Sequence, residues 1–253
     1  MQLQRRDHTA TEASDPGVQA YEERWGASRR VIHHRPHLWR ALAPRTNGGR
    51  VLEIGPGLRT TAPVRGSFFI ETSPTAARTL RHKGGRALLA DGLALPFRDG
   101  SFQAVFAFEV LEHVDQDVRM LGQMARVLAP GGLAVISVPA HMDRWSATDV
   151  SCHHVRRYEP DELLGKLAGA GLIPEGYSVR RGGGHPKLAV LGSRLLDAIP
   201  RLSNWWLQNV VFTAQSAWHK RAGVVRWTDP REPVAPTVGG MMVLCRRAGE
   251  TPS

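Results

Sequence analysis

Arg50-Val51-Leu52-Glu53-Ile54-Gly55-Pro56-Gly57 is the stretch that decides the fold of this chain, because a short apolar run passes there directly into a turn with two glycines. Glycine lets a backbone approach a ligand where a Cβ would collide, and open α/β sheets bind ligands at the carboxyl ends of their strands. A dinucleotide-binding turn would have a third glycine where Thr60 stands, and the Gly-Lys-Ser/Thr of a phosphate loop is absent. The stretch predicts a strand followed by a nucleoside-binding turn without a pyrophosphate site. A tight connection that binds nothing is the alternative.

Four further apolar runs of strand length follow, and segments of helix length separate most of them. The runs are Phe68–Glu71, Ala87–Ala90, Phe102–Phe108 and Gly132–Pro139. Strands that alternate with helices form parallel sheets. Most of these strand ends carry an acid, which a purely structural sheet does not need. The acids are Glu53, Glu71, Asp91 and Glu109. We therefore expect an α/β fold with its ligand at one edge of the sheet, where Glu71 is well placed for vicinal ribose hydroxyls.

Together these motifs resemble those of class I S-adenosylmethionine-dependent methyltransferases, in the branch of ubiquinone-biosynthesis-like and other bacterial small-molecule enzymes. The resemblance covers roughly residues 50–180, and it adds Leu95-Pro96-Phe97-Arg98-Asp99, Glu109 to His113 and Arg126 to Gly132 to the glycine turn. It implies a Rossmann-like sheet of about seven strands, the last one antiparallel, with helices on both faces. Where the family usually has a short hairpin turn before the final strand, this chain has a long interval, for which we predict a helical insert.

The resemblance also implies S-adenosyl-L-methionine as the cofactor. The positions that it assigns to cofactor binding are Glu53, Gly55, Gly57, Glu71, Thr72, Asp91, Gly92, Phe108 and Glu109. Two departures from the family pattern stand in the first connection. Arg59 takes the place of the usual third glycine, and the short stretch Leu58–Ser67 contains Pro63, so we predict a stunted or irregular first helix.

The segment Trp145–Tyr158 carries the most distinctive polar side chains and follows the fifth strand. It resembles a Trp…Asp…Gly-His-x-Arg-Arg-Tyr pattern of bacterial methyltransferases, with His153 in place of the glycine. A histidine near neutral pKa suits removal of a proton from a hydroxyl acceptor. The candidate catalytic residues are His154 and His113 as bases, with Asp149 or Tyr158 to orient the base. The alternatives are a buried hydrogen-bond knot that joins the loop to the sheet and, for His113, a turn that only braces a helix.

No metal site is predicted. Cys152, His153 and His154 are consecutive, adjacent residues of an extended segment point in opposite directions, and the spacing matches no zinc pattern.

Composition and charge limit the function classes. The chain has 253 residues, 42% of them apolar, which is enough for one full core. The net charge of +10 has two interpretations: a surface for nucleic acid or anionic membranes, or the scattered arginines of a high-GC organism. Because no long run interleaves basic and aromatic residues, we expect no nucleic-acid partner. Because the chain has only two cysteines and no apolar stretch long enough to span a membrane, we expect the protein to be located in the reducing cytoplasm.

The chain divides into a disordered tail (1–17) and a single methyltransferase domain (18–253). Within the domain, 18–42 is predicted to be a helical cap over the cofactor mouth, where Tyr21, Arg24 and Trp25 contact either the ligand or the sheet. The interval 181–240 is predicted to be a helical insert, and four of the seven tryptophans fall there. A lid over an apolar acceptor pocket, a patch for weak peripheral membrane contact, a homodimer surface and an ordinary packed subdomain all remain open.

The expected function is methyl transfer to a small molecule with an apolar body, such as a secondary metabolite or a sugar- or lipid-linked compound. The expected target is a hydroxyl, with histidine-assisted deprotonation. Two alternatives stay open: an RNA methyltransferase that uses the basic surface, and a protein that binds the cofactor without methylating, such as a cyclase or a regulatory module.

Overall fold

The computed structural model describes residues 31, 35–146, 149–150, 152–181, 225–235 and 238–249. Several sequence predictions lie outside these residues. They are the disordered tail, the ligand contacts of Tyr21, Arg24 and Trp25, and most of the predicted helical insert, residues 182–224 and 236–237.

Seven strands form one sheet, which confirms the predicted fold class. The strands are β1 (Val51–Ile54), β2 (Phe68–Glu71), β3 (Arg86–Leu89), β4 (Phe102–Phe108), β5 (Leu128–Pro139), β6 (Leu172–Arg181) and β7 (Val238–Arg247). Their order across the sheet is β3-β2-β1-β4-β5-β7-β6. The first five strands pair in parallel, and β7 runs antiparallel to both β5 and β6. Near-continuous apolar runs are typical of such strands because both faces are covered.

Four α-helices among the described residues pack on the sheet. They are α1 (Pro36–Leu42), α2 (Pro74–His82), α3 (Asp117–Val127) and α4 (Pro160–Gly169). Three of them begin at a proline, whose fixed φ and missing N–H suit the first helical turn. The side chain of Ser73 caps α2 by accepting the N–H of Ala76 at 3.0 Å.

The helical cap predicted for 18–42 does not run unbroken to its end. Arg35 has φ −125° and ψ 61°, outside the helical region, and α1 begins only at Pro36. A residue that precedes proline is sterically biased away from the α conformation, which explains the break. The last turn of the predicted segment is helical, and its Leu38 and Leu42 are buried against the sheet.

Apolar layers cover both faces of the central strands. On one face, Leu163 of α4 and Met120 of α3 belong to the same cluster as Val105 of β4. On the other face, α1 packs with Phe106 of β4 and Val135 of β5. Consecutive residues of β4 thus contribute to opposite layers, as the pleat of a strand requires. The carboxyl ends of these strands are therefore held in fixed positions.

The connection between β1 and β2 contains no helix. Residues 55–67 form only turns and bends, in agreement with the predicted stunted helix. Pro56 and Pro63 provide no backbone N–H, so neither supports a helical hydrogen bond in this segment.

The structure differs from the prediction at the start of β5. This strand begins at Leu128, four residues before the predicted start, and its register opposite Phe102 and Ala104 is irregular.

The described end of the insert packs on the sheet. Tyr177 and Thr228 exchange both backbone hydrogen bonds, at 2.9 and 2.7 Å. Val225 and Trp227 pack with Trp39 against the α1 face of the core. Of the four interpretations of the insert, an ordinary packed subdomain is the one that describes the contacts of this part. None of the described helices has the length and apolar character needed to cross a membrane.

Candidate functional site

The carboxyl ends of β1, β2, β3 and β4 meet at one edge of the sheet because these strands are parallel. At the end of β1 the chain turns through two left-handed glycines, Gly55 (φ 60°) and Gly57 (φ 57°). A side chain at Gly55 would be strained by this φ, and its Cβ would lie 3.1 Å from Cγ2 of Val110. The turn thus has a backbone surface that only glycine provides.

Glu53 holds the loop that follows this turn. Its carboxylate accepts the backbone N–H of Thr61 at 2.9 and 3.0 Å and that of Ala62 at 2.9 Å. Burial raises the pKa of Glu53 to about 7, although the two N–H donors favour the ionised form. In this structure Glu53 therefore shapes the predicted cofactor loop by binding its backbone.

Glu71 and Asp91 present carboxylates at the ends of neighbouring strands. Glu71 is buried and accepts the N–H of Gly57, while Thr72 beside it is exposed. Asp91 is exposed and accepts the N–H of Leu93 at 2.8 Å. Carboxylates accept several hydrogen bonds each, and hydroxyl and amino groups of a nucleoside are donors. The two acids and the glycine turn therefore fit an adenosine.

Gly92 leaves little room behind Asp91. A Cβ there would lie 3.3 Å from Cε of Met120 and 3.4 Å from Cγ2 of Ile54. Gly92 thus permits close packing of the turn on α3 and β1. Its predicted role in cofactor binding stays a prediction.

Glu109 follows β4 with φ 55°, which is unusual for a residue with a side chain. Ser137 donates to its Oε1 at 2.8 Å, and the guanidinium of Arg180 lies 3.4 Å from its Oε2. The guanidinium of Arg35 stacks 4.7 Å from the centre of the Phe108 ring. Burial works against ionisation of Glu109, but Arg180 and Arg35 outweigh it and leave its pKa below the ordinary value.

Sequence reasoning missed both arginines around Glu109. Arg35 directly precedes α1 and Arg180 lies near the end of β6, so only the tertiary fold brings them together. The pair Arg180-Arg181 stands out in the sequence as a basic cluster, and nothing in the sequence connects it with position 109.

Asp149 and His154 form a second polar cluster, in the loop that follows β5. His154 Nδ1 lies 2.8 Å from Asp149 Oδ1. Ser146 and Arg157 donate to the same carboxylate at 2.7–2.8 Å. Burial works against ionisation of Asp149, but these donors keep its pKa well below the usual range. Burial also disfavours the charged ring of His154, and hydrogen bonds to Cys152 and Asp149 nevertheless raise its pKa overall.

The structure brings three of the four predicted catalytic residues together. The rings of His113 and His154 are 4.8 Å apart, edge to face, with Asp149 behind His154. Tyr158 lies elsewhere: its hydroxyl is 2.9 Å from Oδ2 of Asp117 and 3.2 Å from the carbonyl oxygen of Leu111. The contacts of Tyr158 thus join the loop to the body of the domain, and of the two residues predicted to orient the base it is Asp149 that contacts His154.

His153 takes a conformation that explains the glycine of the resembling pattern. Its φ is 56°, in the left-handed region that favours glycine. The turn is therefore kept although the residue differs, and the carbonyl of His153 lies 3.4 Å from Nδ1 of His113.

Comparisons with known proteins concern the fold and the class of reaction. Residues 52–136 match a family model described as a methyltransferase domain. A "Probable S-adenosylmethionine-dependent methyltransferase" of Mycobacterium tuberculosis is 29% identical over 161 residues, which are 60% of this chain and 57% of that protein. The chain spans about half the length of the curated relatives it matches.

Two solved structures share the fold. The [4+2]-cyclase SpnF has a TM-score of 0.58 at 19% identity, with 92% of this chain and 93% of that chain covered. A SAM-dependent methyltransferase from Thermotoga maritima, described as a possible histamine N-methyltransferase, has a TM-score of 0.58 at 18% identity, with 91% and 99% covered. At these identities the likeness concerns the fold alone.

The raised pKa of Glu53 predicts a pH dependence of stability. A folded-state pKa of about 7, against 4.5 for the ordinary group, favours folding below pH 4.5 and loses that contribution as pH rises through 7. Between these pH values, the free energy of unfolding of the wild type should fall by up to about 3 kcal/mol relative to Glu53→Gln. Denaturant titrations over this pH range measure the difference.

The exposed Glu232 provides the matched control for this prediction. Glu232→Gln should follow the wild-type pH profile. Parallel profiles for the wild type and Glu53→Gln would show that Glu53 ionises normally in the folded protein.

Proposed function

Since residues 52–136 form a class I, S-adenosylmethionine-dependent methyltransferase domain, we propose that the protein transfers the cofactor's methyl group to a small-molecule acceptor. The observation that carries this proposal is the edge of the sheet where the Gly55–Gly57 turn adjoins the carboxylates of Glu71 and Asp91. Glu71 would bind the ribose hydroxyls and Asp91 the adenine side of the cofactor. Phe108 and Glu109 would border the cofactor at the end of β4.

The proposed acceptor group is a hydroxyl. Its oxygen would form a bond to the methyl carbon while the bond from that carbon to sulfur breaks, which releases S-adenosylhomocysteine and a proton. The sulfonium methyl is already activated, so alignment and exclusion of water supply much of the rate. His154 would assist loss of the proton, because Asp149 fixes its ring at the end of β5, next to His113.

The proposed acceptor has an apolar body, and a lipid-linked metabolite falls within this class. This part of the proposal rests on the sequence, which concentrates four tryptophans in the interval 181–240. Trp227 packs against the core, and Trp205, Trp206 and Trp218 lie outside the described residues. Removing one large apolar side chain from water stabilises a complex by roughly 1.5–3 kcal/mol. An acceptor with an apolar body would gain binding free energy in this way by covering the tryptophan side chains.

A labelling experiment tests the proposal. The full chain is incubated with S-adenosylmethionine carrying an isotope-labelled methyl group and with a metabolite and lipid extract, and products are identified by mass spectrometry. We expect the label in a small molecule as an added methyl on oxygen. Label in RNA, or an acceptor converted while the cofactor keeps its methyl group, would contradict the proposal and support one of the alternatives.

Removal of the Glu71 carboxylate should weaken cofactor binding. Glu71→Ala is expected to lose roughly 1.5–3 kcal/mol of binding free energy in calorimetry with S-adenosylmethionine, as for a hydrogen bond to a charged group. Glu71→Gln keeps an acceptor for the Gly57 N–H, so it separates loss of the loop contact from loss of the ligand contact. Glu232→Ala, at an exposed acid away from this edge, is the control. Wild-type affinity in both Glu71 variants would remove Glu71 from the site.

Replacement of His154 should slow the transfer step. Once an acceptor is identified, His154→Ala is expected to reduce turnover by about 10²–10⁴-fold and to leave cofactor affinity nearly unchanged. The exposed His82 gives the control variant His82→Ala. Retained turnover together with a lower melting temperature would show that the Asp149–His154 pair is structural, and His113 would be the next residue to test.

A further inference from the structure

Glu112, His113 and His154 converge beside the proposed acceptor position. Each offers one nitrogen or oxygen, and these three atoms lie within 4.8 Å of one another. Glu112 and His113 belong to the 3-10 turn that follows β4, and His154 belongs to the loop that follows β5. Neither the proposed cofactor contacts nor the Asp149–His154 pair explains why an acid is buried at this point.

The carboxylate of Glu112 is the unusual member of this group. Its residue is 0% exposed, and neither Oε1 nor Oε2 has a hydrogen-bond partner among the described residues. Its Oε1 lies 3.9 Å from Nε2 of His154. An acidic side chain that is buried without partners is costly, and metal coordination is one of the few arrangements that offset this cost.

The two histidines are oriented as metal ligands usually are. His154 has Nδ1 against Asp149 Oδ1 at 2.8 Å, which leaves Nε2 on the side of Glu112. His113 has Nδ1 3.4 Å from the carbonyl oxygen of His153. In metal sites a ligating histidine almost always donates its second ring N–H to a carboxylate or a carbonyl, which fixes the ring and its tautomer.

Backbone hydrogen bonds fix the turn after β4 and the loop after β5 relative to each other. The N–H of Val155 donates to the carbonyl of Glu112 at 2.8 Å, and the N–H of His154 donates to the carbonyl of Asp149 at 2.9 Å. The ligand atoms are therefore carried by loops that are fastened to each other and to the sheet. Such preorganisation is what a cation site requires.

We propose that Glu112, His113 and His154 bind one divalent first-row transition metal ion, for which Zn²⁺ is the best-matched probe. Two imidazoles and one carboxylate suit Zn²⁺, whereas Mg²⁺ and Ca²⁺ prefer oxygen ligands alone. The thiol of Cys152 is hydrogen bonded to the His154 ring but does not belong to this set of three ligand atoms.

Coordination needs only a small movement. Tetrahedral ligands at about 2.0–2.2 Å from zinc lie about 3.4 Å apart. The three atoms lie within 4.8 Å of one another, so each pair must close by at most about 1.4 Å, and the Glu112–His154 pair at 3.9 Å by about 0.5 Å. The His113 ring contacts the His154 ring edge to face and is the more exposed of the two, so it can shift more readily than the buried Glu112 and Asp149.

The metal site deepens the proposed function, and rests on it, in one respect only. A cation with three protein ligands keeps an open position, where an acceptor hydroxyl would bind and release its proton to water more readily. His154 would then assist proton loss as a metal ligand. Binding of the ion itself is measured without cofactor or acceptor, so failure of methyl transfer and failure of metal binding are distinguishable.

Calorimetry with Zn²⁺ on the chelator-treated full chain tests the inference. We expect about one ion per chain at the site, and at least about 100-fold weaker binding in Glu112→Gln and in His113→Ala, since loss of even a supporting contact costs 10–100-fold. Asp149→Asn should weaken binding by about 10–100-fold through the orientation of His154. His82→Ala should bind like the wild type, and excess Mg²⁺ should not displace the ion.

A spectroscopic and a thermal measurement make the result independent of surface histidines. Co²⁺ should give the visible absorption of a four-coordinate site in the wild type and not in Glu112→Gln. Zn²⁺ should raise the melting temperature of the wild type but not of Glu112→Gln, whose melting temperature without metal shows that it is folded. Absence of Zn²⁺ binding in the wild type, or equal binding in the variants, overturns the inference and leaves direct proton transfer to His154.

Discussion

Burial of acidic side chains at one edge of a parallel sheet is the constraint to which the rest of the site is adapted. A buried carboxylate is costly unless donors surround it, so each acid fixes the position of other groups. Glu53 takes two backbone N–H groups from the loop after β1, and Glu71 takes one from the glycine turn. Glu109 takes Arg180 from a distant part of the chain, and Asp149 takes Arg157 from its own loop. The groups that donate hydrogen bonds to these acids therefore also determine the shape of the loops at this edge of the sheet.

The fold could be predicted closely because its strands carry local signals. The limits of β2 and β4 agree with the apolar runs, and Pro160 and Gly169 mark the ends of α4. The acids at the strand ends were also visible, because their positions follow from strand direction alone. Prediction was weaker at β5, where the residues after α3 extend the strand by an irregular register instead of forming a separate turn.

The site was less predictable where its parts come from separate segments. Arg35 and Arg180 reach Glu109 only through the packing of α1 and β6. Glu112 stands next to His113 in the sequence, yet its approach to His154 depends on how the loop after β5 folds back. Consecutive residues such as Cys152 to His154 are easily inspected as a possible metal motif, whereas a ligand set divided between two loops leaves no spacing to recognise.

The position of β7 between β5 and β6 has a consequence for synthesis of the chain. β5 and β6 are both translated before residues 182–237, and neither has its central partner until β7 emerges. During that interval each strand exposes unpaired backbone groups, and the edge of β5 is lined by residues that end fully buried. Unpaired strand edges recruit other strands, so the nascent chain passes through a stage vulnerable to aggregation. The central place between β5 and β6 is filled only when β7 pairs with both, so the long interval before β7 delays completion of this part of the sheet.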